Sequence, residues 1–276
     1  MILIYSVAID DRGGEKMNST EQRLPTHLFL AKLGKTILRP GGKEATNRIL
    51  EACQLHEDSH VLEVATNTGA TAIHIAKAYN AKVSGIDINK EAVQKAKEII
   101  IRENVQHLVQ IQQGNATQLP FDDATFDVVI NEAMLTMLPQ ELKEQALAEY
   151  RRVLKPGGIL ATHDLVVKAS SEESVTDEIE ALRNVIVVKA QPLSKQHWQT
   201  LVENTGFKPV DVHTGELHLV SLVGLIRDEG LDGLIRIIEN ARKNSDDEQY
   251  FLEIIEHFDH ARHHFGHITI IAKKQG

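Results

Sequence analysis

The stretch HVLEVATNTGATAIHIA, residues 60–76, constrains the fold of this chain more than any other stretch. It opens with an apolar run (Val61, Leu62 and Val64), passes through small residues as far as Gly69, and continues with helical periodicity. A strand that turns tightly into a helix presents backbone N–H groups and the positive end of a helix dipole at one edge of a sheet. The stretch therefore predicts a ligand-binding turn in an α/β fold.

From residue 60 onward the chain alternates strand and helix patterns. Predicted strands lie at 81–87, 108–114, 126–133 and 159–167, and predicted helices lie at 89–104 and 139–154. Because parallel strands need crossover helices, this alternation predicts a parallel sheet covered on both faces. Later segments predict helices at 171–186 and 192–206, strands at 207–214 and 267–274, and a helical stretch at about 215–265.

The composition of the chain argues against several classes of protein. The 276 residues carry a net charge of −9 and few aromatic side chains, which argues against a nucleic-acid partner. Cys53 is the single cysteine, so we expect no intramolecular disulfide and a reducing compartment. We expect neither a signal peptide nor a membrane span, because the chain lacks a basic leader and an apolar run of about 18 residues. The prediction is a cytoplasmic protein that starts at Met1 or Met17.

Small residues in the first turn fall at Ala65, Asn67 and Gly69, and Glu63 lies two positions before them. A dinucleotide-binding turn would instead carry G-x-G-x-x-G, so that a pyrophosphate could approach the backbone. We expect a negative φ at Ala65, because its Cβ disfavours the left-handed region, whereas asparagine enters that region more readily. The spacing argues against a dinucleotide cofactor.

With these residues the chain resembles the class I S-adenosylmethionine-dependent methyltransferases, whose first motif is acid-x-G-x-G-x-G. The likeness continues in the family's order with Asp87 at the end of the second strand, GNATQLPF (114–121), FDVVINEAML (126–135) and RRVLKPGGIL (151–160). Residues 192–212 are similar to the ubiquinone/menaquinone-type small-molecule branch. The resemblance implies a Rossmann-like three-layer sandwich with a mostly parallel seven-stranded sheet and an antiparallel last strand.

The resemblance implies S-adenosylmethionine as the cofactor. The implied cofactor-binding residues are Glu63, Ala65, Asn67, Gly69, Asp87, Ile88, Asn115, Ala116 and Asn131. Asp87 would accept hydrogen bonds from the ribose hydroxyls, and Asn115, where the family has aspartate, would accept one from the adenine amino group. As alternatives, Glu63 could cap or pair at the sheet edge, and Asp87 and Asn131 could be turn residues.

The resemblance also implies an N-terminal extension and helical lid, residues 1–55, ahead of a methyltransferase domain, residues 56–276. Gly41 and Gly42 would belong to the lid, unless they merely connect two helices. A helical insertion at about 215–265, together with residues 165–195, would cover the pocket of a small-molecule acceptor. Packing on the core or a homodimer contact is the alternative use of the insertion.

Polar residues at the predicted ligand edge are the candidates for catalysis. His163, at the end of the fifth strand, is the candidate general base, because histidine accepts a proton near pH 7. Glu132, after the fourth strand, would orient a cationic amine or shape the cofactor pocket. As an alternative, His163 and Asp164 are ordinary turn residues and Glu132 is a helix cap.

The favoured function is methyl transfer to a small molecule by in-line displacement. A nicotinamide-dependent oxidoreductase is an alternative, although its G-x-G-x-x-G is missing, and so is a non-catalytic protein in which Ala65 and Asn67 have eroded the site. Three histidines, His257, His260 and His264, share one helical face. We interpret them as structural or solvated rather than as a metal site, because spacing alone does not show converging ligands.

Overall fold

The structure, a computed structural model, describes residues 24–276, and within these residues eight strands form one sheet. The strands are β1 (His60–Val64), β2 (Lys82–Asp87), β3 (Val109–Gln113), β4 (Phe126–Glu132), β5 (Leu154–Val167), β6 (Leu193–Ser194), β7 (Phe207–Glu216) and β8 (Phe265–Lys274). Seven run in the order β3-β2-β1-β4-β5-β8-β7, and the short β6 pairs with β5. Strands β1 to β5 pair in parallel, and β8 is antiparallel to β5 and β7, which confirms the predicted sheet.

Helices cover both faces of the sheet. The helices of the described residues are α1 (Thr26–Leu33), α2 (Gly42–Ala52), α3 (Ala70–Tyr79), α4 (Lys90–Arg102), α5 (Gln140–Val153), α6 (Thr176–Ile186), α7 (Lys195–Asn204), α8 (Leu222–Ala241) and α9 (Ser245–Ala261). One core joins α2, α3 and α4 to the sheet, and a second core joins α5 and α7 to it. The central strands read as apolar runs because both of their faces are buried. The three predicted layers are confirmed.

A third core lies among α1, α6, α8 and α9, with Phe29, Leu182, Ile237 and Ile254 in it. Helices α8 and α9 occupy the stretch between β7 and β8, and Gly230 interrupts α8 with φ 73° and ψ 175°. The division of the chain into an extension, a domain and an insertion stays a prediction. The start at Met17 lies outside the described residues.

The fifth strand begins earlier than the sequence pattern predicts, at Leu154 rather than residue 159. Leu154 pairs with Phe126, and the register then shifts so that Ile159 pairs with Val128. The KPGG segment, residues 155–158, is therefore an irregularity within β5, and α5 ends at Val153, directly before this strand. Among residues 24–276, no helix has both the length and the apolar character that crossing a bilayer requires.

Candidate functional site

The carboxyl ends of β1, β2 and β4 lie side by side. Val64 pairs with Ile86 on one side and with Asn131 on the other, so the loops after these three strands leave the sheet at one edge. Strand order reverses at this point, since β1 leads to β2 and β3 on one side and β4 and β5 lie on the other. Open α/β sheets bind ligands at such a reversal, outside the carboxyl ends of the strands.

The turn from β1 into α3 has left-handed backbone at each of its three small residues. The φ angles are 60° at Ala65, 50° at Asn67 and 80° at Gly69. The expected negative φ at Ala65 is therefore wrong, and its left-handed conformation costs roughly 1 kcal/mol. Tertiary hydrogen bonds impose this conformation, because the Thr66 N–H donates to the Ile86 carbonyl and the Thr66 hydroxyl lies within hydrogen-bond distance of the same carbonyl.

Asp87 ends β2 and fastens the neighbouring turns. Its Oδ2 accepts from the Asn67 N–H at 2.8 Å, and its Oδ1 accepts from the Asn89 N–H at 2.8 Å. A carboxylate has about four lone-pair sites, so two more donors can reach Asp87. The next side chain, Ile88, is 46% exposed, which places an open apolar surface beside this carboxylate.

Asn115 and Ala116 follow β3. The Asn115 Oδ1 accepts from both the backbone N–H and the hydroxyl of Thr117 at 3.0 Å, which uses both of its lone pairs. The predicted acceptance from an adenine amino group thus competes with Thr117, whereas the Asn115 Nδ2 group is left to donate. Ala116 is half-buried and packs against the core between the sheet and α5.

Asn131 is fully buried near the end of β4, which no surface turn residue would be. Its Nδ2 donates to the Thr162 hydroxyl at 2.9 Å. Its Oδ1 has no hydrogen-bond partner within the described part of the chain. A buried carbonyl oxygen left without a donor is costly, so this atom is available to a donor from a ligand or water.

Glu63 projects from β1 toward the first turn of α3. It is buried, and its Oε2 accepts from the Ala72 N–H at 3.1 Å. Burial raises the pKa of Glu63 to about 8, although the Arg39 guanidinium opposes the shift and the Glu132 carboxylate adds to it. Glu63 thus lies in one electrostatic group with Arg39 and Glu132.

Glu132, at the end of β4, is the centre of a buried polar cluster. Arg39 forms an ion pair with it, the Thr46 hydroxyl donates to its Oε2 at 2.6 Å, and the Thr71 hydroxyl donates to its Oε1 at 3.2 Å. The Nδ1 of His163 lies 2.9 Å from Oε2. Burial alone would favour the protonated acid, but Arg39, His163 and Thr46 outweigh it and hold the pKa of Glu132 at about 2.

His163 lies on β5 beside Glu132 and is fully buried. The backbone N–H of Gly41 donates to its Nε2 at 3.0 Å, so Nε2 is an acceptor and the ring proton is on Nδ1. Nδ1 then donates to Glu132. Both ring nitrogens are engaged within the protein, so the predicted general base can act only after Gly41 withdraws from Nε2. The catalytic roles of His163 and Glu132 stay predictions.

Three residues of this cluster were missed in the sequence. Arg39 directly precedes the Pro-Gly-Gly turn, Thr46 lies on α2, and Thr71 lies in the first turn of α3. An arginine next to that turn was the available signal for Arg39. Its partner Glu132 is 93 positions away, however, and no local pattern joins the two.

The remaining polar candidates lie apart from this cluster. Asp164 is buried within β5 and accepts from the backbone N–H of Thr136 at 3.1 Å, so the alternative interpretation of His163 and Asp164 as turn residues at the strand's end is wrong. The histidine face on α9 borders a cavity of about 230 Å³ between α6 and α9, lined in part by Asp177, Glu178 and His257. In the described residues, no three histidine, cysteine or carboxylate side chains converge to hold a metal ion.

Comparison with known proteins gives a consistent result. A family profile described as a methyltransferase domain matches residues 61–158. A Haemophilus influenzae protein described as uncharacterized is 43% identical over 248 residues, which cover 90% of this chain and 97% of that protein. The erythromycin 3''-O-methyltransferase of Saccharopolyspora erythraea is 32% identical over 165 residues, 59% of this chain and 52% of that protein, so the chain spans about half of its length.

A solved structure shares the fold. The phosphoethanolamine N-methyltransferase 2 of Haemonchus contortus, in complex with S-adenosyl-L-methionine, is similar with a TM-score of 0.67 at 16% identity. The similarity covers 90% of this chain and 56% of that one.

Proposed function

Because the chain belongs to the class I S-adenosylmethionine-dependent methyltransferases, we propose that it methylates a small molecule at an atom that carries a proton. The main support for this proposal is the buried Glu132–His163 pair. Oε2 of Glu132 lies 2.9 Å from Nδ1 of His163, and Nε2 accepts from the Gly41 N–H. A base is needed only where the acceptor must lose a proton on methylation, and a histidine oriented by a carboxylate suits that task.

The residues at the strand ends fit S-adenosylmethionine. When bound, the cofactor supplies an electrophilic methyl group on a sulfonium, and the protein supplies alignment and exclusion of water. Asp87 has lone pairs left for ribose hydroxyls, and the exposed Ile88 would cover the adenine face. The turn at 65–69 has the left-handed backbone that glycine adopts readily, although alanine and asparagine stand at 65 and 67, which argues against an eroded site. Asn115 and Ala116 would hold the adenine edge.

The methionine end of the cofactor would meet the charged cluster. Its carboxylate suits Arg39, whose guanidinium is partly exposed beside Glu132, and its ammonium suits Glu63. Burial disfavours an ionised Glu63, and a bound ammonium would restore its charge. Asn131, with its unpartnered Oδ1, offers a further acceptor at this end. Arg39 therefore joins the nine predicted cofactor residues in this proposal.

The acid–base pair would act in a defined order. Arg39 keeps Glu132 ionised, and Glu132 accepts from Nδ1–H, which leaves the Nε2 lone pair of His163 for the acceptor. In the conformation described, Gly41 N–H occupies that lone pair at 3.0 Å. An acceptor hydroxyl would replace this N–H, and its proton would pass to Nε2.

The small-molecule acceptor is supported by the name of the erythromycin 3''-O-methyltransferase relative and by the net charge of −9, which disfavours a polyanionic substrate. We further propose the division into residues 1–55, with a lid that includes Gly41 and Gly42, and residues 56–276, with an insertion at about 215–265. In this arrangement α6, α8 and α9 would border the acceptor.

Calorimetric titration with S-adenosylmethionine, S-adenosylhomocysteine and NADH tests the cofactor site. We expect micromolar binding of the two sulfur compounds, none of NADH, and at least a hundredfold loss in Asp87→Ala, because about two charge-assisted hydrogen bonds of about 1.5 kcal/mol each are removed. Asp58→Ala, at the opposite end of β1, is the matched control and should bind as wild type. Binding of NADH, or no binding of either sulfur compound, would contradict the proposal.

A further inference from the structure

The segment from Lys35 to Lys43, here the 35–43 segment, connects α1 to α2 and reaches the candidate site with two groups. Arg39 forms the ion pair with Glu132, and the Gly41 N–H donates to His163. The position of this one segment therefore decides both the charge beside the cofactor end of the site and the availability of the histidine.

On its other side, the first half of the segment is bound by Glu229 of α8. The Glu229 Oε1 accepts from the N–H of Thr36 at 2.8 Å and from the N–H of Ile37 at 3.0 Å. Its Oε2 accepts from the Thr36 hydroxyl at 2.9 Å. Three donors of the segment thus meet one carboxylate.

The ends of the segment are bound by the neighbouring Asp228. Its Oδ1 accepts from the N–H of Lys43 at 2.9 Å, and its Oδ2 accepts from the Nζ of Lys35 at 3.1 Å. Lys43 Nζ also donates to the Asp228 carbonyl. Gly42 has φ 61°, and a Cβ there would collide with the Asp228 carboxylate, so a glycine is required for this approach.

The charges of this contact are out of water. The side chains of Lys35, Asp228 and Glu229 are 0%, 2% and 3% exposed. A buried carboxylate without donors is strongly destabilised. One ammonium group, that of Lys35, lies near both carboxylates, 3.1 Å from Asp228 and 3.7 Å from Glu229. The backbone N–H groups of the segment and the Thr36 hydroxyl supply the remaining donors. The burial of Asp228 and Glu229 therefore depends on the donors of the 35–43 segment, and this dependence fixes the position of the segment relative to α8.

The stability of α8 does not explain why Asp228 and Glu229 occupy these positions in the helix. Gly230 breaks the helical backbone directly after Glu229, so both acids lie in the last turn of the first half of α8. Carboxylates at the carboxyl end of a helix oppose the helix dipole. Their position is unfavourable for the helix and favourable only for the contact with the segment.

From these contacts we infer that Asp228 and Glu229 are positioning residues of the methyl-transfer site, which act through the 35–43 segment on Arg39 and His163. Through these two side chains, helix α8 sets cofactor affinity and the freedom of the His163 Nε2. This inference rests on the proposed function for the role of the site, but the contact itself is independent of that function.

Two measurements on the full chain test the inference. Glu229→Gln and Asp228→Asn keep the side-chain shape and remove the charge, and Asp232→Asn, on the exposed face of the same helix, is the matched control. Affinity for S-adenosylhomocysteine is measured by calorimetry. The nitrogen resonances of ¹⁵N-labelled His163, identified by their absence in His163→Gln, report the bond from Gly41. Thermal midpoints report any purely structural effect separately.

We expect each charge-removing variant to bind S-adenosylhomocysteine about tenfold more weakly, the size of a typical coupling between sites, and to shift the His163 Nε2 resonance. The control should change neither. Binding within twofold of wild type together with an unchanged His163 spectrum would overturn the inference. If the wild type does not bind the nucleoside, the proposed function fails, and the His163 spectrum still decides this inference.

A milder variant covers the case in which Glu229→Gln does not fold. Thr36→Val removes one of the three hydrogen bonds to Glu229 at an exposed residue. We expect the same shift of the His163 resonance with a smaller amplitude. An unchanged resonance in folded Thr36→Val would count against the inference.

Discussion

The backbone N–H of Gly41 donates to Nε2 of His163 over 3.0 Å, and these residues are 122 positions apart. With Nδ1 held by Glu132, this bond leaves the imidazole no free nitrogen. Residue 41 must be a glycine in this position, because a Cβ there would lie 2.6 Å from both the Ala45 Cβ and the His267 Cγ. A base and the backbone that covers it are thus packed as one unit.

Replacing His163 should separate its structural and catalytic roles. In His163→Ala, the Gly41 N–H and the buried Glu132 carboxylate each lose a partner, so we expect the free energy of unfolding to fall by about 2 kcal/mol. With an identified acceptor, we expect kcat to fall at least about a hundredfold, the usual contribution of a general base. Urea unfolding and initial rates measure the two effects.

His213→Ala is the control for that experiment, since His213 is exposed on β7. It should keep both stability and rate. A His163→Ala enzyme that retains wild-type kcat would show that the histidine only anchors Gly41.

The left-handed backbone at Ala65 predicts a gain from glycine. In Ala65→Gly the strain at φ 60° is relieved, although the greater entropy of the unfolded chain offsets part of the gain. We expect the free energy of unfolding to rise by up to about 1 kcal/mol, with cofactor affinity kept or improved. Urea unfolding of Ala78→Gly, at an exposed helical site of α3, should instead show a loss of about 1 kcal/mol. A comparable loss at both sites would mean that Ala65 is not strained.

Because Gly41 is closely packed, its replacement by alanine should cost more stability than the same replacement at a glycine with a left-handed backbone and no neighbouring atoms. Gly157 has φ 74°, and no atom lies within 4 Å of the place that a Cβ would take, so Gly157→Ala should cost only the backbone strain, about 1 kcal/mol. Gly41→Ala must displace both Ala45 and His267, and we expect a larger loss of stability together with weaker binding of S-adenosylhomocysteine. Equal losses in urea unfolding, with binding unchanged, would argue against the packed turn.

Stability should fall in mild acid because of His267. Burial, helped by the nearby His163, lowers the pKa of His267 from 6.5 to about 4. Between these pH values the unfolded chain binds a proton that the folded chain does not, so the free energy of unfolding decreases as pH falls through this window, by about 3 kcal/mol in all. Urea unfolding at intervals from neutral pH down to 4 measures this slope.

In His267→Asn this part of the slope should vanish, whereas His263→Asn, at an exposed site, should keep it. An unchanged slope in His267→Asn would assign the acid sensitivity to another group.

The sequence alone determined the α/β order and the places of Glu63 and Asp87, because hydrophobic periodicity and strand ends are local properties of a chain. It also placed the small-residue turn after β1. The parallel part of the sheet then followed from rules that hold for every βαβ unit, and the antiparallel last strand followed from the family resemblance. The histidine on β5 and the acid at the end of β4 could be named for the same reason, although β5 continues to Val167, beyond His163.

Only the tertiary structure decided what those residues contact. Ala65 is left-handed because Thr66 is bound to Ile86 of the next strand, and these hydrogen bonds outweigh the local preference of alanine. Arg39 reaches Glu132 across 93 positions, and Glu229 reaches Thr36 across 193. Such pairs form when the chain closes around its core, because burial makes each charge require a partner that no local pattern specifies.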